Sequence, residues 1–276
     1  MKTIKQQKKY FSLLKNSVKD WRFWIKSLIG LTQISSVVIF LTVSVIFEHN
    51  WYIIPEHLSY FTTLSNLFCG IFFIYSAIFH YAEGNSKFDN SEVAKIVITY
   101  ITLTVLLYNL NQLMTVNPYF FDDWKYLMSF ICEHSLVPIL AIIYCLFFYN
   151  HKNSATIKEF NKKWVWYMVL GLVIYLLFFS VIGLLAKIFK WKPLFGTIDG
   201  SGDASTFVYP FMDWYHGVGF FKYLPSWFEC IVMLTATFIV AIGFDYFYTF
   251  IIIKVNAINQ KILLGNQYKK NNVAIK

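Results

Sequence analysis

Six apolar runs of about 20 residues each, enough to cross a bilayer, recur along the 276-residue chain, at roughly 28–47, 58–80, 96–115, 126–149, 164–188 and 226–252. They are continuous rather than alternating. They therefore predict helices, which satisfy every backbone N–H and C=O within one segment when no water is at hand. Composition agrees: 57% of residues are hydrophobic and 14% charged, against about 25% charged in a soluble domain. The expected fold is all-α, an integral membrane protein of six transmembrane helices. A soluble globule and a disordered chain are both excluded.

The charges set the expected orientation. The chain carries 24 Lys+Arg against 15 Asp+Glu, a net +9. Nineteen of those 24 cations fall before the first run, between the second and third, between the fourth and fifth, or after the sixth. Lys26, Lys87 and Lys95 are counted among them. The positive-inside rule then puts both termini in the cytoplasm, in a multi-pass protein of the cell membrane. The expected organisation is a basic tail at 1–27, a six-helix domain at 28–252 with a long outer loop at 189–225, and a second basic tail at 253–276. Residues 3–27 also suit a basic amphipathic helix lying on the inner leaflet. Expected partners are membrane lipids, the anionic leaflet through the basic tails above all. Arg22 is the only arginine, so nucleic acid, usually gripped by bidentate arginines, is not an expected partner.

The four cysteines, Cys69, Cys132, Cys145 and Cys230, all lie in apolar runs. None forms a CxxC pair, so neither a disulfide framework nor a zinc site is expected. No phosphate loop, GxSxG or HExxH occurs, and no cofactor is expected. The loop at 189–225 holds Gly196, Gly200, Gly202, Pro193, Pro210 and Pro225. A loop of that length is more often functional than idle.

Polar groups inside the bilayer are costly and carry the functional signal. Glu133 and His134 lie in the fourth run, roughly 12 Å below its outer end at 1.5 Å per residue. Pro138, four residues on, has no N–H to give the His134 carbonyl, so a kink is expected there. His134 reads as a general base or proton carrier, or as a histidine bonded to a neighbouring span. In the second run, Thr62, Asn66, Cys69 and Phe73 share one helical face. A threonine in such a helix usually bonds the carbonyl behind it; Asn66 needs a partner on another span. In the third run Asn109 and Gln112 lie one turn apart. These groups converge in the outer half of the bundle, and no polar path to the inner side is evident. Glu229 reads as interfacial, and Asp245 as snorkelling or paired with a lysine.

Three segments in this order resemble one family pattern: Tyr60-Phe61-Thr62-Thr63-Leu64-Ser65-Asn66-Leu67, His134-Ser135-Leu136-Val137-Pro138 and Tyr209-Pro210-Phe211-Met212-Asp213. With six spans they are similar to bacterial relatives of the androgen-induced/FAR-type membrane proteins. The eukaryotic branch of that superfamily comprises intramembrane hydrolases of fatty acid esters of hydroxy fatty acids, with a threonine nucleophile and a histidine. The resemblance implies a lipid-ester hydrolase with Thr62 as nucleophile, Thr63 as the alternative register, and His134 as base. Asn66, Asn109, Gln112, Glu133 and Asp213 would then contact substrate. Two other readings stay open: a carrier or channel for a small solute, and a non-catalytic scaffold.

Overall fold

A computed structural model of the chain describes residues 17–47, 49, 53–86, 88–115, 124–151, 157–189 and 225–274. The helices are α1 (Trp21–Phe47), α2 (Ile53–Ser59), α3 (Phe61–Ile78), α4 (Ser91–Thr115), α5 (Trp124–Ser129), α6 (Leu136–Phe147), α7 (Ile157–Ile188) and α8 (Ser226–Ala274). A single π-turn, Phe130–His134, joins α5 to α6. Six stretches are long and apolar enough to cross a membrane, the fourth made of α5, the π-turn and α6 together. No strand occurs among the described residues.

Apolarity and burial run in opposite directions. The third stretch is the least apolar of the six and the most buried, at 61%; the fifth is the most apolar and only 17% buried. Lipid is as apolar as leucine, so the polar helix gains by sitting in the middle and the apolar one loses nothing at the rim. Accordingly α4 is bonded to its neighbours through side chains. Thr104 Oγ1 lies 2.6 Å from Ser65 Oγ on α3. Thr102 shares a hydrogen bond with Tyr248 of α8. The Tyr100 hydroxyl donates to the Met168 carbonyl of α7 at 2.7 Å. Around these contacts Ile29, Phe73, Ile98, Tyr144 and Ile252 close one apolar core.

α1 and α3 lie antiparallel and very close. A Cβ on Gly70 would stand 2.7 Å from Ile34 Cγ1 and 3.1 Å from the Gly30 carbonyl; one on Gly30 would stand 2.9 Å from the Ile74 backbone nitrogen. Small residues at the crossing are what allow two membrane helices to gain by dispersion. The crossing also sets the register that puts Gln33 beside Gly70.

At the end of the bundle where α1 begins, a buried polar network ties the chain together. Lys26 is fully buried. Its Nζ donates to the Ser76 carbonyl (2.7 Å), His80 Nδ1 (2.9 Å) and Glu83 Oε2 (3.1 Å). Because lysine only donates, His80 Nδ1 accepts and Nε2–H gives its proton to Asp20 at 3.1 Å. Glu83 also accepts from the Tyr144 hydroxyl at 3.1 Å. Burial raises the Glu83 pKa, but the charge and hydrogen bond of Lys26, with the other neighbours of the carboxyl, outweigh it and leave the group below its usual range. Lys95, likewise buried, meets Glu92 at 2.7 Å.

These findings correct the charge reading in part. Lys26 and Lys95 do not act as solvated loop cations, because each has a carboxylate partner inside the bundle. Asp245 is fully buried and lies within electrostatic reach of Lys95 and Glu92, so of its two readings the neighbouring lysine is the one present and snorkelling is not. A polar stripe on α4 (Glu92, Lys95, Thr99 and Thr102) therefore does occupy the half of the bundle that was expected to be apolar. Trp21–Lys26 begins the first membrane helix, not a separate surface helix; residues 3–16 lie outside the described part. The last helix runs on without interruption to Ala274.

Candidate functional site

The site is built around the break in the fourth stretch. The expected kink at Pro138 is a full interruption. The π-turn ends at His134, Ser135 takes φ −139° and ψ −88°, and α6 starts afresh at Leu136. Pro138 thus falls in the first turn of α6, the part of a helix that tolerates proline best. The carbonyls just before the break do lose their donors. Two asparagines replace them. Asn109 Nδ2 donates to the His134 carbonyl at 3.1 Å and to the Val105 carbonyl at 2.7 Å. Asn66 Nδ2 donates to the Glu133 carbonyl at 3.0 Å.

This limits what the two amides can do. Both N–H groups of Asn109 are engaged, so Asn109 has no donor left for a substrate oxyanion. Asn66 keeps one N–H, and its buried Oδ1 has no partner. Their first role is to hold the broken helix open.

The break carries Glu133 and His134 into the bundle. Glu133 is 1% exposed. Its Oε2 accepts from Ser129 Oγ at 3.2 Å, the Ser36 hydroxyl is a further partner, and Oε1 has none. The His134 ring stacks on Tyr108, centroids 3.3 Å apart and planes 8° from parallel. Its Nδ1 is buried without a partner. His57, on α2, stacks on Phe40 of α1 at 4.3 Å and lies within electrostatic reach of His134. Burial lowers the His57 pKa to about 4, so its ring is neutral near pH 7.

Thr62 is half-buried, and its carbonyl accepts from Ser65 Oγ at 2.9 Å. Thr63 is fully buried and its Oγ1 has no partner. Gln33, in the middle of α1, is also fully buried with both amide atoms unpaired. Buried polar atoms are nearly always bonded to protein or water. Gln33, His57, Thr63, Asn66, Glu133 and His134 thus hold unpaired polar atoms on the helices that surround the break. The side chain of Gln112 and the whole of Asp213 lie outside the described residues.

One cavity reaches this region. It has a volume of about 250 Å³ and lies between α1 and the α5–π-turn segment. Leu31, Ile39, Phe40, Val43 and Met128 form its walls; Ser36, Ser129 and Glu133 form its polar end. Its rim residues Leu31, Ile39 and Trp124 are exposed, as lipid-facing side chains are. Sequence reasoning missed this groove. Its polar lining, Ser36, Ser129 and the neighbouring hydroxyls, gave no signal of it in the sequence. Among the described residues no group of His, Cys, Asp and Glu is arranged to hold a metal. No family model, curated protein or solved structure matches the chain.

Proposed function

We infer that this polytopic membrane protein hydrolyses acyl esters of membrane lipids, with both termini in the cytoplasm and the site in the outer half of a cell membrane. The observation that carries the reading is the lateral groove. It is apolar along its walls, open on a lipid-facing side, and ends on Glu133, one residue before a buried imidazole with a free nitrogen. A site for a small aqueous solute has no need of an apolar side entrance.

The chemistry follows the threonine–histidine pattern. Neutral His134 takes the proton as a threonine Oγ attacks the ester carbonyl. The tetrahedral adduct collapses to an acyl-threonine, and the alcohol leaves with the proton from His134. Water, activated by the same imidazole, then releases the fatty acid and restores the threonine. The resemblance supports Thr62 as nucleophile; a buried hydroxyl without a partner supports Thr63. The remaining N–H of Asn66 is the donor best placed in sequence to serve the developing oxyanion.

The test is ester turnover by purified protein across a panel of fatty esters. Thr62→Ala, Thr63→Ala and His134→Ala are run beside wild type, with folding checked by thermal unfolding. Loss in His134→Ala and in one threonine variant supports the reading. Equal turnover in all four proteins removes it. A second reading, solute passage, is favoured by the buried stripe of Glu92, Lys95, Thr99 and Asp245, which gives the opposite half of the bundle polar groups of its own. It predicts flux across proteoliposomes that Asp245→Asn abolishes.

A further inference from the structure

The groove also carries information about the head group of its ligand. This step rests on reading the groove as the lipid entrance. We propose that it selects an uncharged acyl ester with a free hydroxyl, of the monoacylglycerol class, and that Glu133 recognises that hydroxyl.

Three observations lead there. First, Glu133 is the one carboxyl among the described residues that line the groove, and no described lysine, arginine or histidine lines it. An anionic head, whether carboxylate or phosphate, has no described counter-charge there and meets a carboxyl instead. Second, Glu133 is 1% exposed and its Oε1 has no partner, while Ser129 and Ser36 address the rest of the group. An acceptor left open in so dry a place asks for a donor from the ligand. Third, the neutral polar side chains that line the groove are, apart from the Cys132 thiol, hydroxyls: Thr32, Ser35, Ser36 and Ser129. A serine hydroxyl both donates and accepts, and a ligand hydroxyl can answer both. An ammonium head only donates, and it loses more hydration on entering such a groove.

The experiment separates binding from turnover by using a ligand that cannot be hydrolysed. Protein in phosphatidylcholine nanodiscs is irradiated with a diazirine-bearing 1-O-alkylglycerol. Competitors are the plain alkylglycerol and the fatty acid and fatty amine of equal chain length. Labelling is expected on peptides from 31–43 or 124–133. The alkylglycerol should compete roughly tenfold better than either charged lipid, the margin set by one good hydrogen bond. Glu133→Leu should weaken labelling by a similar factor. Glu133→Gln, which still accepts from a hydroxyl, should stay near wild type. Val43→Trp, which fills the groove, should abolish labelling.

Equal competition by fatty acid or amine, or full labelling of both Glu133→Leu and Val43→Trp, overturns the proposal. Labelling that follows this pattern without ester turnover retains the ligand class and removes the hydrolase. Turnover with labelling elsewhere does the reverse.

Discussion

Replacing Asn109 by alanine tests the most specific structural claim, that an amide on α4 stands in for the N–H that Pro138 lacks. Asn109 Nδ2 makes the 3.1 Å bond to the His134 carbonyl. Without it that carbonyl stays buried and unpaired. Such a group costs about 1–3 kcal/mol, although interhelical hydrogen bonds in membrane proteins average only about 0.6 kcal/mol. A loss of about 1–2 kcal/mol is therefore expected for Asn109→Ala. The same substitution made on Pro138→Ala should cost less than half as much. There residue 138 regains an N–H, the helix can close across the break, and the carbonyl finds its donor. Reversible unfolding in mixed micelles, followed by tryptophan fluorescence, gives all four corners of the cycle. Equal losses in both backgrounds would refute the substitution of amide for proline N–H. No loss in either would mean that the bond contributes nothing measurable.

Three further outcomes follow from the geometry. Gly70→Val should destabilise by about 1–3 kcal/mol, the usual range for overpacking, because its Cβ meets Ile34 Cγ1 at 2.7 Å; the same unfolding assay reads it. Lys26→Met should cost about 3–5 kcal/mol by leaving the buried Glu83 carboxylate without its cation, and adding Glu83→Leu should recover much of that loss. Burial lowers the pKa of both His57 and His151 from 6.5 to about 4. The unfolded chain therefore binds protons that the folded one does not, so stability is full above about pH 6.5 and falls as pH drops toward 4. Each ring contributes up to about 3 kcal/mol to that loss, and His57→Phe should flatten the acid limb of the stability profile.

How far the sequence reveals this molecule depends on whether a feature is local. The six helices were legible because apolar length alone specifies them, and five of the six centres agree within a turn. The interruption of the fourth was half legible: Pro138 announced the lost donor, but the π-turn and the angle at Ser135 arise from Asn66 and Asn109 on other helices. Of the convergence expected for Thr62, Asn66, Asn109, Gln112, Glu133 and His134, the structure shows Asn66 and Asn109 meeting the Glu133 and His134 carbonyls; Thr62 makes no such contact, and the Gln112 side chain lies outside the described residues. The division of labour was not legible, because choosing between a backbone carbonyl and a substrate needs coordinates. Lys26 and Lys95 were misread for the same reason. Counting loop charges treats every cation as solvated, whereas Glu83 and Glu92 draw these two inside. The groove was invisible because its walls are ordinary apolar residues and only the break in the fourth stretch opens the space.

The acyl-enzyme is the most direct test of the catalytic claim. Purified protein is mixed with a monoacylglycerol, quenched in acid within milliseconds, and its peptides are weighed. An acyl mass on the peptide bearing Thr62 and Thr63, present in wild type and absent in His134→Ala, is the predicted result. Ester turnover with that peptide unmodified at every quench time, or the same acyl mass in His134→Ala, would contradict a threonine nucleophile served by His134.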